Sequence, residues 1–225
     1  MSIAMSEHVW VNDMFRDSTL VPMMRVDIVD GENPRKDAAR AGLKALKAGL
    51  PVSSEQCPQE IWAEPGKFTL QEKEQMPDLF NARGYWIISG KAASILRSFN
   101  LGKGALYPVN VYDTDRKSEF DGQYYCWVIG NSKSALSFDG SNGLFYPPDY
   151  SSPPTHRNPP FNMADDDIAV SSVALAGPDA WVDPTLFHSA FVSGSLGDAL
   201  AEAGLKRAFR LRRARVIGDI PPVSG

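Results

Sequence analysis

The stretch YWIISG at residues 85–90 is echoed by AFVSG at residues 190–194, and this echo decides the fold prediction. In each copy a short apolar run ends at a serine followed by a glycine, Ser89-Gly90 and Ser193-Gly194. Serine is a favoured helix N-cap, because its side-chain oxygen accepts a hydrogen bond from an amide of the first helical turn. The pattern therefore predicts a strand followed by a capped helix, present twice.

The two copies stay in step beyond the serine. Apolar residues recur three and four positions apart, which is the spacing of one helix face. These residues are Ala92, Ile95, Leu96 and Phe99 in the first copy and Leu196, Ala199, Leu200 and Ala203 in the second. A second apolar segment follows each helix. A proline and a Leu-Phe pair precede each copy, as PDLF at residues 77–80 and PTLF at residues 184–187, which places the repeats at about 77–111 and 184–216.

These observations predict an α+β protein. We expect a single compact domain in which the duplicated strand–helix–strand unit packs on a mixed β-sheet. Residues 1–76 form its N-terminal strand and helix region, with residues 9–11 and 21–29 as edge strands and residues 35–49 as a basic surface helix. Residues 77–225 carry the two repeats, and residues 123–129 (QYYCWVI) have the composition of a buried strand.

Composition narrows the class of protein. The chain has 225 residues, a net charge of −4 and 43% hydrophobic residues, which is ordinary for a globular protein. No apolar run approaches the roughly 20 residues that span a bilayer, and residues 1–11 lack the pattern of a secretory signal. The two cysteines, Cys57 and Cys126, are far apart in sequence, which suits a reducing compartment. We therefore expect a cytoplasmic protein with no membrane partner.

No group of residues has the spacing of a catalytic or metal-binding motif. His8, His156 and His188 are far apart and belong to no metal-ligand pattern. The aspartates at 165–167 lack the glycine and glutamate of a calcium-binding loop. We therefore predict that the protein is not an enzyme and needs neither a metal nor a cofactor. An uncharacterised enzyme that uses the loop around His156 is kept as an alternative.

Two other segments could face a partner. Residues 206–215 (KRAFRLRRAR) could neutralise phosphates. However, Phe209 and Leu211 alternate with Arg210 and Arg212, as in a strand with one solvated face, so a nucleic-acid site is the disfavoured alternative. Residues 137–162 form a loop rich in proline, glycine and aromatic residues. A long loop inside a compact domain is often functional.

The second repeat also resembles a known family. The run AFVSGSLGDALAEAGL at 190–205, with Leu186-Phe187 before it and Phe209-Arg210-Leu211 after it, resembles the C-terminal signature of a bacterial immunity-protein family. That family is a domain of unknown function named for a myxobacterial member, encoded beside polymorphic or type VI-secreted toxins. The resemblance covers about residues 75–217, and Gly194 stands where members often carry an acidic residue.

The resemblance implies a cytoplasmic protein that binds and neutralises one cognate toxin encoded nearby. It carries over no catalytic or toxin-contacting residue. Protein interfaces anchor on aromatic side chains within a polar rim, and the loop and the adjacent acidic run offer both. We therefore predict a partner-binding site made of Phe145, Tyr146, Tyr150, Asp165, Asp166 and Asp167.

Overall fold

The computed structural model describes residues 8–12, 24–32, 34–64, 76–147, 155–187 and 189–218. The strands within these ranges are β1 (Val9–Asn12), β2 (Met24–Val26), β3 (Glu60–Ala63), β4 (Leu79–Ala82), β5 (Tyr85–Ser89), β6 (Ala105–Tyr112), β7 (Tyr124–Val128), β8 (Leu136–Ser137), β9 (Ala169–Ser171), β10 (Ala180–Trp181), β11 (Phe191–Ser193) and β12 (Leu211–Ile217). The α-helices are α1 (Asp27–Asp30), α2 (Lys36–Lys47), α3 (Gly90–Leu96) and α4 (Gly194–Glu202), and short 3-10 turns occur at Ser54–Gln56 and Ser172–Leu175.

The described strands form two mixed sheets, which confirms the predicted α+β class. Sheet 1 has the order β4-β5-β7-β6-β3-β2, and sheet 2 has the order β10-β11-β1-β12-β9-β8. Each sheet contains one parallel pair, β6 with β3 and β12 with β9, while its other neighbours are antiparallel. The two sheets therefore share one topology, strand for strand.

The hydrogen-bond register shows the same equivalence. Ile88 on β5 lies opposite Leu79 on one side and Tyr125 on the other. Val192 on β11 lies opposite Ala180 and Trp10 in the same way. The duplication thus extends across six strands, well beyond the strand–helix–strand unit that the sequence pattern indicated.

The strand at the centre of each sheet comes from a different part of the chain. In sheet 1 it is β7, which follows β6 in sequence. In sheet 2 the equivalent place between β11 and β12 is held by β1, from the start of the chain. The prediction that residues 9–11 form an edge strand is therefore wrong. The element order is that of a tandem repeat whose last strand stands at the front of the chain.

The predicted start of the repeats also needs correction. Leu79 and Phe80 lie in β4, and their equivalents by register are Ala180 and Trp181 of β10. The Leu-Phe pair at 186–187 lies outside every strand, because residues 182–190 separate β10 from β11. The first copy likewise begins before residue 77, since β2 and β3 join β6 in sheet 1. Strands from both sides of position 76 thus share one sheet.

Helices α3 and α4 pack together in a core that joins the two sheets. Leu96 of α3 and Leu200 of α4 are buried in one cluster with Trp86, Trp127 and Trp10. Both helices begin at the predicted serines. The Ala92 amide donates to Ser89 Oγ at 3.3 Å, and the Leu196 amide donates to Ser193 Oγ at 3.2 Å. The predicted capped helices are therefore confirmed.

The other face of each sheet is covered by the segment inserted between two equivalent strands. In sheet 1, α1 and α2 lie between β2 and β3, and α2 confirms the predicted basic helix. In sheet 2, residues 138–168 lie between β8 and β9. Met163 and Ile168 from this segment are buried against Val11 and Phe191. The long loop predicted from sequence is thus the positional counterpart of α1 and α2.

Candidate interaction site

The loop at residues 138–168 is fastened to the basic strand β12 by a charged contact. Arg213 holds both carboxylate oxygens of Asp166: its Nε donates to Oδ1 at 3.0 Å and its Nη2 donates to Oδ2 at 2.7 Å. The backbone adds to this contact, since the Asp166 amide donates to the Arg213 carbonyl at 2.7 Å. A two-pronged arginine–carboxylate contact fixes orientation as well as distance. The contact therefore sets where the loop meets the sheet.

The other two aspartates of the acidic run also bond within the chain. Asp165 Oδ1 accepts from the Arg213 amide at 2.8 Å, and Asp167 Oδ2 accepts from the Ala164 amide at 2.7 Å. The hydrogen bond from Arg213 lowers the pKa of Asp166 below its ordinary value. All three side chains retain some exposure. The acidic run thus helps to hold the loop in place through hydrogen bonds within the chain.

The same loop also exposes a group of aromatic side chains. Tyr146 is 64% exposed and Phe161 is 69% exposed, while Phe138 is 37% exposed. The ring of Phe145 is half-buried and stacks on Phe161, with 4.8 Å between the centroids. Phe161 is therefore the ring of this stacked pair that is more exposed to solvent.

Arg157 lies over two rings of this group. Its guanidinium carbon lies 3.7 Å from the centroid of the Tyr146 ring and 5.1 Å from that of Phe138. An arginine over an aromatic face is held by the ring quadrupole and also orders the ring beneath it. We call Phe138, Phe145, Tyr146, Arg157 and Phe161 the aromatic patch.

The aromatic patch contains part of the site predicted from sequence. Phe145 and Tyr146 belong to it, whereas Tyr150 lies outside the described residues. Asp165, Asp166 and Asp167 are grouped with Arg213. Phe138, Arg157 and Phe161 also belong to the patch and were not predicted from the sequence. They occur in or beside the same proline-rich stretch, but no periodic spacing marks residues that meet through a loop.

The arginines of the basic run are directed largely to the loop. Arg212 Nε donates to the Met163 carbonyl at 2.9 Å, and Arg215 Nη2 donates to the Gly140 carbonyl at 2.6 Å. The strand begins at Leu211, and residues 206–210 form turns in which Arg210 has a φ of 47°. Phe209 and Leu211 are buried while Arg210 and Arg212 keep some exposure, which confirms the predicted alternation. The strand prediction is wrong for residues 209–210 and right for residues 211–215.

Reactive side chains are dispersed over the described ranges. His8 Nε2 lies 3.2 Å from Asp198 Oδ1, and the ring of His156 lies 4.9 Å from that of Phe187; His188 is outside the described residues. Among the residues described, no three His, Cys, Asp or Glu side chains are grouped to hold a metal ion. Within the same ranges, no helix has the length and apolar character needed to traverse a bilayer.

Comparison with known proteins adds no assignment to this geometry. No known family model matches the chain, and no functionally characterised protein sequence matches it.

Proposed function

We propose that this protein is a cytoplasmic bacterial immunity protein that binds a cognate toxin, encoded nearby, and blocks it by occlusion. The toxin would belong to a polymorphic toxin system or be delivered by type VI secretion. The proposal combines the resemblance of residues 75–217 to an immunity-protein family with the aromatic patch. Inhibition by occlusion requires a complementary surface and no reacting group.

The aromatic patch is the observation that carries the proposal. Of the five large apolar side chains most exposed among the described residues, three belong to it. Tyrosine and arginine are, with tryptophan, the residue types enriched at positions that dominate binding energy. Arg157 lies over the Tyr146 ring, so both side chains lose little freedom when a partner binds.

The nucleic-acid alternative finds less support. Arg213 is engaged with Asp166, while Arg212 and Arg215 donate to loop carbonyls. A phosphate backbone would have to compete with these contacts. The enzyme alternative would rest on His156, whose ring packs beside Phe187.

The proposal is tested by co-expression with the product of each neighbouring gene that is toxic to the host cell. The wild-type chain should restore growth and bind one such product directly. The variant Tyr146→Ser/Arg157→Gln/Phe161→Ser should protect poorly and bind at least about tenfold more weakly, because truncating interface anchors typically costs 2 kcal/mol or more. Its melting temperature should stay close to that of the wild type.

Val173→Ser is the matched control, because Val173 is 54% exposed and lies in the Ser172–Leu175 turn, outside the patch. It should protect as well as the wild type. Failure of the wild-type chain to counter any neighbouring toxic product would overturn the proposed function. Full protection by the triple variant would instead move the interface away from the aromatic patch.

A further inference from the structure

The outer face of α2 carries an ordered stripe of positive charge. Lys36, Arg40, Lys44 and Lys47 are all exposed and are spaced at intervals of four, four and three residues, so they share one helix face. At 1.5 Å per residue the stripe is about 16 Å long. It stands out on a chain whose net charge is −4.

Within the described ranges, the carboxylates near this stripe leave most of its charge unpaired. Asp37 comes within 4.0 Å of Arg40, but both side chains are nearly fully exposed and such a contact contributes little. Asp30 pairs with Arg83, and Asp27 lies near Arg35 and accepts from the Gln59 amide. Among the described residues, no carboxylate lies within ion-pair distance of Lys36, Lys44 or Lys47.

Apolar side chains lie beside the same row of positive charges. Val29 from α1 and Ala39 and Leu43 from α2 line an open groove together with the four cations, with a volume of about 530 Å³. Val29 and Leu43 are only partly buried, so they remain available for contact. An occupant would therefore have to supply carboxylates on one side and apolar side chains on the other.

We propose that this groove, which we call the α2 groove, binds an acidic amphipathic segment of a partner protein. Among the described residues that line it, none has an aromatic ring on which a nucleobase could stack. A bilayer would require a wide apolar face on this helix, whereas Ala45 and Leu46 of α2 pack against the core of sheet 1. A protein segment with carboxylates beside aliphatic side chains meets both requirements through a helix-in-groove contact.

The topology supplies a second reason to regard the α2 groove as an interaction surface. α1 and α2 occupy the β2–β3 connection, and the aromatic patch occupies the equivalent β8–β9 connection in the other copy. The α2 groove and the aromatic patch therefore lie in equivalent connections of the two copies. The α2 groove shares no residue with the aromatic patch, and the proposal does not rest on immunity function.

The test uses the full-length chain and a synthetic helical peptide as the probe. The peptide carries glutamates at intervals of four, four and three residues and leucines along the adjacent stripe. Fluorescence anisotropy at low salt should detect binding that weakens as salt rises, because exposed charges are screened. The variant Lys36→Glu/Arg40→Glu/Lys44→Glu/Lys47→Glu should bind at least about tenfold more weakly.

The matched control reverses four exposed cations elsewhere, as Lys91→Glu/Lys103→Glu/Lys117→Glu/Arg207→Glu, and has the same net charge as the groove variant. It should bind the peptide much more tightly than the groove variant does. A peptide with serines in place of the leucines should bind at least about tenfold more weakly to the wild-type chain. Circular dichroism of both variants should show native secondary structure.

The proposal is overturned if the acidic peptide does not bind or if both charge variants lose binding equally. Equal affinity for the leucine and serine peptides would also sink it, because the interaction would then be unspecific attraction of charge. Tighter binding to a single-stranded or duplex oligonucleotide, or to phosphatidylserine vesicles, would assign the α2 groove to a different class of partner.

Discussion

Gly197 on α4 illustrates how one absent side chain fixes a packing arrangement. A Cβ at this position would lie 1.9 Å from Cδ1 of Trp10, so no larger residue fits without moving the indole. Trp10 also donates its Nε1 hydrogen to Asp198 Oδ1 at 3.0 Å. In the other copy, Tyr125 is the equivalent of Trp10 by strand register. Ala93 is the equivalent of Gly197, because each lies four residues after its capping serine. The larger indole of Trp10 is accommodated by a smaller residue on the helix above it.

Replacing Gly197 with alanine should therefore destabilise the protein, although alanine is the better helix former. Forcing an extra methyl group into a packed site costs about 1–3 kcal/mol, which exceeds the helix-propensity gain of about 1 kcal/mol. Urea unfolding followed by tryptophan fluorescence measures the change. Gly218→Ala is the control, because no atom of the described residues lies within 4 Å of its added Cβ. An unchanged unfolding free energy for Gly197→Ala would contradict the packing described.

Phe191 and Leu200 test the position of the core. Both have no exposed surface, and the ring of Phe191 stacks on Trp181 with centroids 5.6 Å apart. Truncating either residue to alanine should lower the free energy of unfolding by about 2–5 kcal/mol, because each change leaves a cavity. Thermal and urea unfolding measure the loss, with Val173→Ala as the exposed control. Native stability after either core truncation would mean that these residues are not buried in solution.

Helices α3 and α4 depend on their serine caps. Ser89→Ala and Ser193→Ala should each cost about 0.5–2 kcal/mol, because an amide of the first turn loses its acceptor. The loss should be larger at Ser89, since its hydroxyl also donates to Asp78 Oδ1 at 2.5 Å. Ser94→Ala, at an exposed position within α3, is the control for urea unfolding. Equal costs at Ser94 and Ser193 would show that the cap is not the source.

The attachment of the loop should depend on pH through Asp166. Because Arg213 lowers the pKa of Asp166, the pair stabilises the folded state above the ordinary pKa of an aspartate. That stabilisation is lost as the pH falls through the lowered pKa, where the carboxylate takes up a proton. We therefore expect Asp166→Asn to be less stable than the wild type near neutral pH, with a difference that shrinks in strong acid.

Urea unfolding of both proteins across the acid range measures this difference. Asp139→Asn is the control, because Asp139 is exposed and takes no part in the Asp166–Arg213 contact. A difference between wild type and Asp166→Asn that is constant with pH would mean that the charge of Asp166 does not hold the loop.

The molecule as a whole is built from two equivalent sheets, and β1 completes the second one. Deleting residues 1–12 should remove the central strand of sheet 2 and expose the edges of β11 and β12. Unpaired strand edges promote aggregation. We therefore expect the deleted chain to lose cooperative unfolding and to aggregate in gel filtration.

A circular permutant should restore the fold. Joining residue 225 to residue 1 through a flexible linker, and opening the chain between residues 18 and 19, places β1 after β12 as β7 follows β6. Cooperative thermal unfolding and a monomer-like elution volume matching the wild type are the expected results. An aggregated permutant would show that the position of β1 at the start of the chain is required for folding.

Local sequence signals predicted the parts of this fold that depend on nearby residues. Ser89 and Ser193 were recognisable as caps because an N-cap bonds to an amide three residues away. Helix α2 was recognisable from its apolar spacing, and β7 from its aromatic and β-branched residues. Phe145 and Tyr146 remain predicted partner-binding residues, and that prediction rests on the rarity of a proline-rich loop with aromatic residues inside a compact domain.

Only the tertiary structure determined which distant segments meet. Trp10 lies beside Val192 because β1 enters sheet 2, and Asp166 meets Arg213 because a loop folds back on β12. Sequence periodicity indicates which side of a strand is buried but does not identify its neighbour, since any strand of suitable pattern offers the same backbone hydrogen bonds. The true repeat partner of Leu79 and Phe80 was therefore revealed by register, and the aromatic patch by the path of the loop through space.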